Sequence, residues 1–175
     1  EVLTPVLPQL HKLCGLPHSI VRQALEKSVK DGAGKGYFPL RELDVDDGSE
    51  DGADTLRLAR LCCPKLHTVA VVYPDGGHGM PCEEACLREL CQMANLKHVS
   101  FHRVRLDYVL ALVRTQALES LKIETVSWFA RDEEDDDDED ATEEEMTFPA
   151  LSTEEVIQKI IASSRSPNIR VEILP

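Results

Sequence analysis

Between Phe38 and Glu124 the chain repeats one arrangement of apolar and polar positions. "FPLRELDVDD" from Phe38, "CPKLHTVAVVY" from Cys63, "MANLKHVSFHR" from Met93 and "TQALESLKIET" from Thr115 share the frame L-x-x-[LV]-x-[VFI]. Its apolar positions are Leu40, Leu43 and Val45; Leu66, Val69 and Val71; Leu96, Val99 and Phe101; Leu118, Leu121 and Ile123. The last two positions of each frame lie two residues apart, the period of a strand with one buried face. "PQLHKLCGL" from Pro8 keeps the frame in part, through Leu10 and Leu13. "SPNIRVEIL" from Ser166 alternates through Ile169, Val171 and Ile173 but loses the three-residue step. From Leu10 the first leucine recurs after 30, 26, 30 and 22 residues, followed by a gap of 51 to Ile169.

Helical spacing fills the intervals. Residues 17–30 carry Ile20, Ala24 and Leu25 at helical intervals, with Ser19 as a candidate N-cap and "DGAGKG" as the stop. Residues 53–63 predict a helix with Asp54 as its cap and Leu58, Leu61 and Cys62 on one face. Residues 81–94 begin with proline and place acids in the first turn, as the helix dipole favours. Asp107 is the candidate cap of "YVLALVRTQ", and Ser152 with Glu155 forms a capping-box pattern before "VIQKIIASS".

Each unit is therefore a short strand, a loop, a helix and a loop into the next strand. The frame and its helices resemble a leucine-rich repeat of the longer, ribonuclease-inhibitor-like kind. That resemblance implies an α/β solenoid of about five to six repeats, with a parallel concave sheet and helices on the convex side. The usual asparagine after the strand is missing and the spacings drift, so an ordinary α/β domain with parallel strands is the competing reading. In a solenoid, stacked units share one continuous core that no unit could bury alone.

Composition fits a single folded domain over residues 1–175, with 42% hydrophobic residues. The chain opens at Glu1 rather than a methionine, which reads as a fragment or processed product of a longer protein. No apolar run approaches the roughly 18 residues of a membrane span, and no signal-peptide layout opens the chain. The net charge of -13 is local: residues 132–145 hold 12 of the 32 acidic residues and no basic one. The remainder sets 20 acidic residues against 19 Lys plus Arg, so its surface offers no electrostatic case for nucleic acid. The acidic run reads as a disordered insertion at 131–150, self-repelling and extended, and as a candidate tether for a basic protein.

Six cysteines raise the question of metal, nucleophile or disulfide chemistry. Cys82, Cys86 and Cys91 fall in one predicted helix and Cys62 and Cys63 are adjacent, which points to reduced packing residues in a cytoplasmic or nuclear setting. His78, Cys82 and Cys86 invite zinc, but no second ligand pair completes a site. His67, His98 and His102 accompany no nucleophile signature. "GAGKG" at Gly32 lacks the phosphate-loop spacing, and "DVDDGSEDGAD" from Asp44 has Thr55 where a calcium loop needs a bidentate Glu. The expectation is a non-catalytic scaffold without cofactor or metal.

Function then falls to the strand residues that alternate away from the core. They are Glu42, Asp44 and Asp46; Thr68, Ala70 and Val72; His98, Ser100 and His102; Ser120, Lys122 and Glu124. Stacked in order they run from acidic through apolar and histidine-bearing to mixed, a face suited to a protein partner. "CPKLHTV", "MANLKHVSF" and "SPNIRVEI", each following a helix, look most like the repeats of F-box proteins, more than those of nucleotide-binding immune receptors. The resemblance implies substrate-recognition repeats of a cullin-based ubiquitin-ligase receptor, although no F-box helices are visible. The alternatives are an acidic adaptor or chaperone for basic nuclear proteins such as histones and, more remotely, a zinc-binding protein.

Overall fold

The structure is a computed structural model that describes residues 11–14, 18–30, 38–46, 51–72, 84–127 and 151–174. Among the described residues six strands and five helices alternate. They run β1 (Lys12–Leu13), α1 (His18–Lys30), β2 (Glu42–Asp46), α2 (Asp51–Cys62), β3 (Thr68–Val72) and α3 (Glu84–Cys91). The order continues with β4 (His98–Arg105), α4 (Leu106–Thr115), β5 (Ser120–Ser127), α5 (Thr153–Ser163) and β6 (Arg170–Ile173). All strands join one parallel sheet in chain order. Parallel neighbours cannot be joined by a tight turn, so each connection crosses over, and each carries one helix.

The register lines up the predicted frame. Leu13, Leu43, Val69, Val99, Leu121 and Val171 form one row across the sheet. Val45, Val71, Phe101, Ile123 and Ile173 form the next. The four complete frames are buried throughout, as are Leu13 and Ile169, whereas Val171 and Ile173 are half-buried. Helix residues Val21, Leu25, Leu56, Leu87, Leu90, Val109, Leu112, Val156 and Ile160 pack with them in a single core. The helices touch in sequence, α1 to α2 and so on to α5, forming a second row beside the row of strands.

A polar ladder locks the starts of the strands. The His11 carbonyl accepts from the N–H groups of Arg41 and Glu42 at 2.8 and 3.2 Å, and that of Arg41 from His67 and Thr68 at 3.1 and 3.0 Å. The His67 carbonyl accepts from Lys97 and His98, both at 2.9 Å, and that of Lys97 from Glu119 and Ser120 at 2.7 and 3.1 Å. The Glu119 carbonyl receives Arg170 at 3.0 Å. The leucine that opens each frame turns inward while the next residue offers its carbonyl to the following unit. One geometry therefore serves every step despite unequal spacing.

The helices begin and face differently from the sequence reading in several places. Ser19 lies inside α1, and Asp54 lies inside α2, where it pairs with Arg57 at 2.8 Å. Asp107 sits in the first turn of α4, not at its cap; it accepts two bonds from the Arg105 guanidinium, at 3.0 and 2.6 Å. In α1 it is Val21 rather than Ile20 that joins Ala24 and Leu25 in the core. In α2 the buried face is Leu56, Ala59 and Thr55, and Leu61 is 59% exposed. Starting α2 at Asp51 shifts its inward stripe to residues whose spacing is set by the strands beneath. The capping box at α5 is present: Ser152 N–H donates to Glu155 at 2.7 Å, and Glu155 N–H donates to the Ser152 hydroxyl at 3.3 Å.

The strands β4 and β5 outrun the frame. After Phe101 two successive residues, His102 and Arg103, are partly exposed before Val104 returns to the core. In β5 Glu124 and Thr125 do the same before half-buried Val126, and the register keeps Arg103 on Thr125 and Val104 on Val126. The pairing skips His102 and Glu124 and resumes in the same register, so both strands continue to Arg105 and Ser127.

Leu121→Ala is expected to cost about 2–5 kcal/mol in urea unfolding, the range for emptying a packed leucine site. Leu61→Ala, on the exposed side of α2, is expected to stay within about 0.5 kcal/mol of the parent. Ser152→Ala, which removes the cap hydroxyl, is expected to cost about 1 kcal/mol by the same measurement.

Candidate functional site

The sheet face opposite the helices is a lattice of rows. Lys12, Glu42, Thr68, His98, Ser120 and Arg170 stand in one; Asp44, Ala70, Ser100, Lys122 and Glu172 stand in the next. Alternation dictates this once the leucine frame points inward. Of the twelve residues predicted for this face, Glu42, Asp44, Thr68, Ala70, Val72, His98, Ser100, His102, Ser120, Lys122 and Glu124 are all half-buried or exposed. Asp46 holds its register place opposite Val72, and its side chain lies outside the described residues.

Five of the twelve converge. Val72, Ser100, His102, Lys122 and Glu124 line a cavity of about 240 Å³ across β3, β4 and β5, together with Val71 and Phe101. The His102 Nδ1–H donates to Glu124 Oε2 at 2.6 Å and fixes one wall. Val72 is 39% exposed, an apolar side chain held open on this face. Lys122 is exposed and makes no ion pair among the described residues. A β-branched apolar wall, a hydroxyl, an imidazole–carboxylate pair and a cation can engage a peptide.

The remaining predicted residues spread over polar contacts between strands. Lys12 and Glu42 pair at 2.6 Å, and this bond holds the Glu42 carboxyl below its usual range. His98 Nδ1 and the Ser120 hydroxyl share a hydrogen bond of 2.8 Å, and His67 meets His98 edge to face with ring centroids 6.0 Å apart. Lys97 bonds Glu119 at 2.6 Å and depresses the Glu119 carboxyl. His67, Lys97 and Glu119 were not among the predicted residues. The signal for them is the second position of each frame, which reads Arg41, His67, Lys97 and Glu119 in the four units.

The cysteines occupy packing positions. Cys63 and Cys86 are buried; Cys14, Cys62 and Cys91 are half-buried, and all five are free thiols. Burial, reinforced by neighbouring Cys62, pushes the Cys63 thiol up to about 12. Burial and then a hydrogen bond with Asp44 push Cys14 up to about 11, and burial raises Cys62. Thiols raised in this way are poor nucleophiles at neutral pH. Among the described residues no group of three or more His, Cys, Asp or Glu side chains could hold a metal ion. No helix among them is long and apolar enough to cross a membrane. His78 and Cys82, residues 31–37 and 73–83, and the acidic segment at 131–150 lie outside the described residues.

No family model, curated protein or solved structure matches the chain.

The raised thiols set an alkaline limit. Above the ordinary thiol pKa of 9.0 the unfolded chain releases protons that folded Cys14 and Cys63 retain, so stability falls as pH rises from about 9. Urea midpoints between pH 8 and 10.5 are expected to decline, and Cys63→Ala is expected to flatten the slope. A midpoint independent of pH would refute the assignment.

Proposed function

We propose that this chain is a leucine-rich-repeat solenoid whose open sheet face binds a protein partner. The observation that carries the proposal is the gathering of Val72, Ser100, His102, Lys122 and Glu124 around one cavity on that face. The repeated carbonyl ladder and the aligned leucine rows support the repeat reading, since both treat each strand–helix unit alike. Exposed apolar surface beside a cation and a hydroxyl favours a polypeptide ligand over nucleic acid, for which the near-neutral body supplies no field.

The narrower proposal is a substrate-recognition segment of an F-box-type ubiquitin-ligase receptor, working in the cytoplasm or nucleus. It rests on the resemblance of "CPKLHTV", "MANLKHVSF" and "SPNIRVEI" to that group. In this role the chain binds and positions, and catalysis belongs to other subunits. A second reading, an acidic adaptor or chaperone for basic nuclear proteins such as histones, is favoured by one observation. Residues 132–145 concentrate 12 acids in a chain otherwise close to neutral.

Affinity capture with the whole protein separates the two. The double substitution His102→Ala with Lys122→Glu is expected to weaken the captured partner's binding at least about tenfold while thermal unfolding is unchanged. A cullin adaptor in the capture supports the ligase role. Histones that are lost on deleting 132–145, or on raising salt, support the adaptor role. A partner indifferent to both changes refutes the open-face site.

A further inference from the structure

The last strand carries a second feature, independent of the cavity. Among the described residues β6 pairs only with β5, and none of them pairs with its other edge. The Arg170 N–H donates to Glu119 and the Leu174 N–H to Ile123, both into the sheet. Alternation therefore turns the N–H and C=O groups of Val171 and Ile173 toward that other edge. Arg170 and Glu172 are exposed on the open face, whereas Ile169, Val171 and Ile173 face the core side. Val171 and Ile173 are only half-buried, although their row-mates Leu121 and Ile123 are fully buried.

The sequence of this edge, Ile-Arg-Val-Glu-Ile from Ile169 to Ile173, is chemically self-complementary when reversed. A two-fold axis through Val171 sets Arg170 against Glu172 of a second copy, Val171 against Val171, and Ile169 against Ile173. In this antiparallel register the outward N–H and C=O groups of Val171 and Ile173 meet partners. The charged pairs fall at the positions without backbone bonds, where facing side chains come closest. Centring the axis on Arg170 or on Glu172 would instead oppose like charges. Only the Val171 register satisfies the backbone, the charges and the apolar face together.

We propose that this chain forms a two-fold dimer by antiparallel pairing of β6 with β6 of a second copy, centred on Val171. The two sheets then become one, with apolar sides continuous across the axis. An interface this short lies near or below the ~1,000 Å² of stable complexes, which puts the association in the weak, reversible class.

The test is sedimentation equilibrium of the whole chain from roughly 1 µM to 1 mM, the range for weak interfaces. A mass rising toward twice 19.5 kDa is expected. Arg170→Glu and Glu172→Arg each place like charges opposite and are expected to weaken dimerisation about tenfold or more. Both positions are exposed, so unfolding curves should match the parent. Mixing the two single variants restores opposite charges at both pairs, and so does combining them in one chain; both are expected to recover the dimer. A chain monomeric throughout overturns the proposal and leaves Arg170 and Glu172 as charges that keep an edge apart. A dimer insensitive to the single variants, or variants that fail to recover on mixing, also overturns it.

Discussion

The row Leu43, Val69, Val99 and Leu121 holds four parallel strands in one register, because a slip of a single residue would turn every member to the open side. Burial of that row is the constraint from which the other features follow. It fixes the opening leucine of each frame inward, which presents the next residue's carbonyl to the following unit, to two N–H groups at Arg41, His67 and Lys97 and to one at Glu119. It also decides that the helices share one side, since only one side of the sheet is apolar. The connections are then free to differ in length, and they do, as the intervals of 30, 26, 30 and 22 residues show.

With one side committed to packing, the other is left to polar chemistry organised across strands. Lys12 with Glu42, His98 with Ser120, His102 with Glu124 and Lys97 with Glu119 are all contacts between neighbouring units. Exposed pairs of this kind contribute little individually to stability. Their effect is to set side-chain positions, and the His102–Glu124 pair does so at the cavity wall. Cys63 and Cys86 belong to the packed side of this division, filling core positions beside leucines.

The strands were legible in the sequence because their signal repeats: four frames in phase identify a period that a single L-x-x-L-x-L could not. The open-face residues followed from alternation alone, and Val72, Ser100, His102, Lys122 and Glu124 line one cavity across three strands. The helix faces were less legible. Apolar residues such as Ile20 and Leu61 satisfy helical spacing yet face solvent, since the inward stripe is selected by what lies beneath it rather than by the helix alone. The extension of β4 and β5 past the frame was invisible for a related reason. A strand reading expects strict alternation, and the paired outward residues His102–Arg103 and Glu124–Thr125 break it in both strands at once. Asp54 and Asp107 have the chemistry of caps, but each helix begins early enough to take them inside.

The two rows of elements have unequal widths. Strands stack about 4.8 Å apart, whereas packed helices need about 8–10 Å. On the proposed repeat reading each unit would be a wedge, thin at the sheet and thick at the helix, and a stack of such wedges would bend toward its thin side. The arc is set by the ratio of two spacings and not by how many wedges are stacked. Lengthening such a stack would leave its radius unchanged, so under the proposed function the size of partner it could embrace would be fixed by the shape of one unit, and only the extent of the embrace by their number.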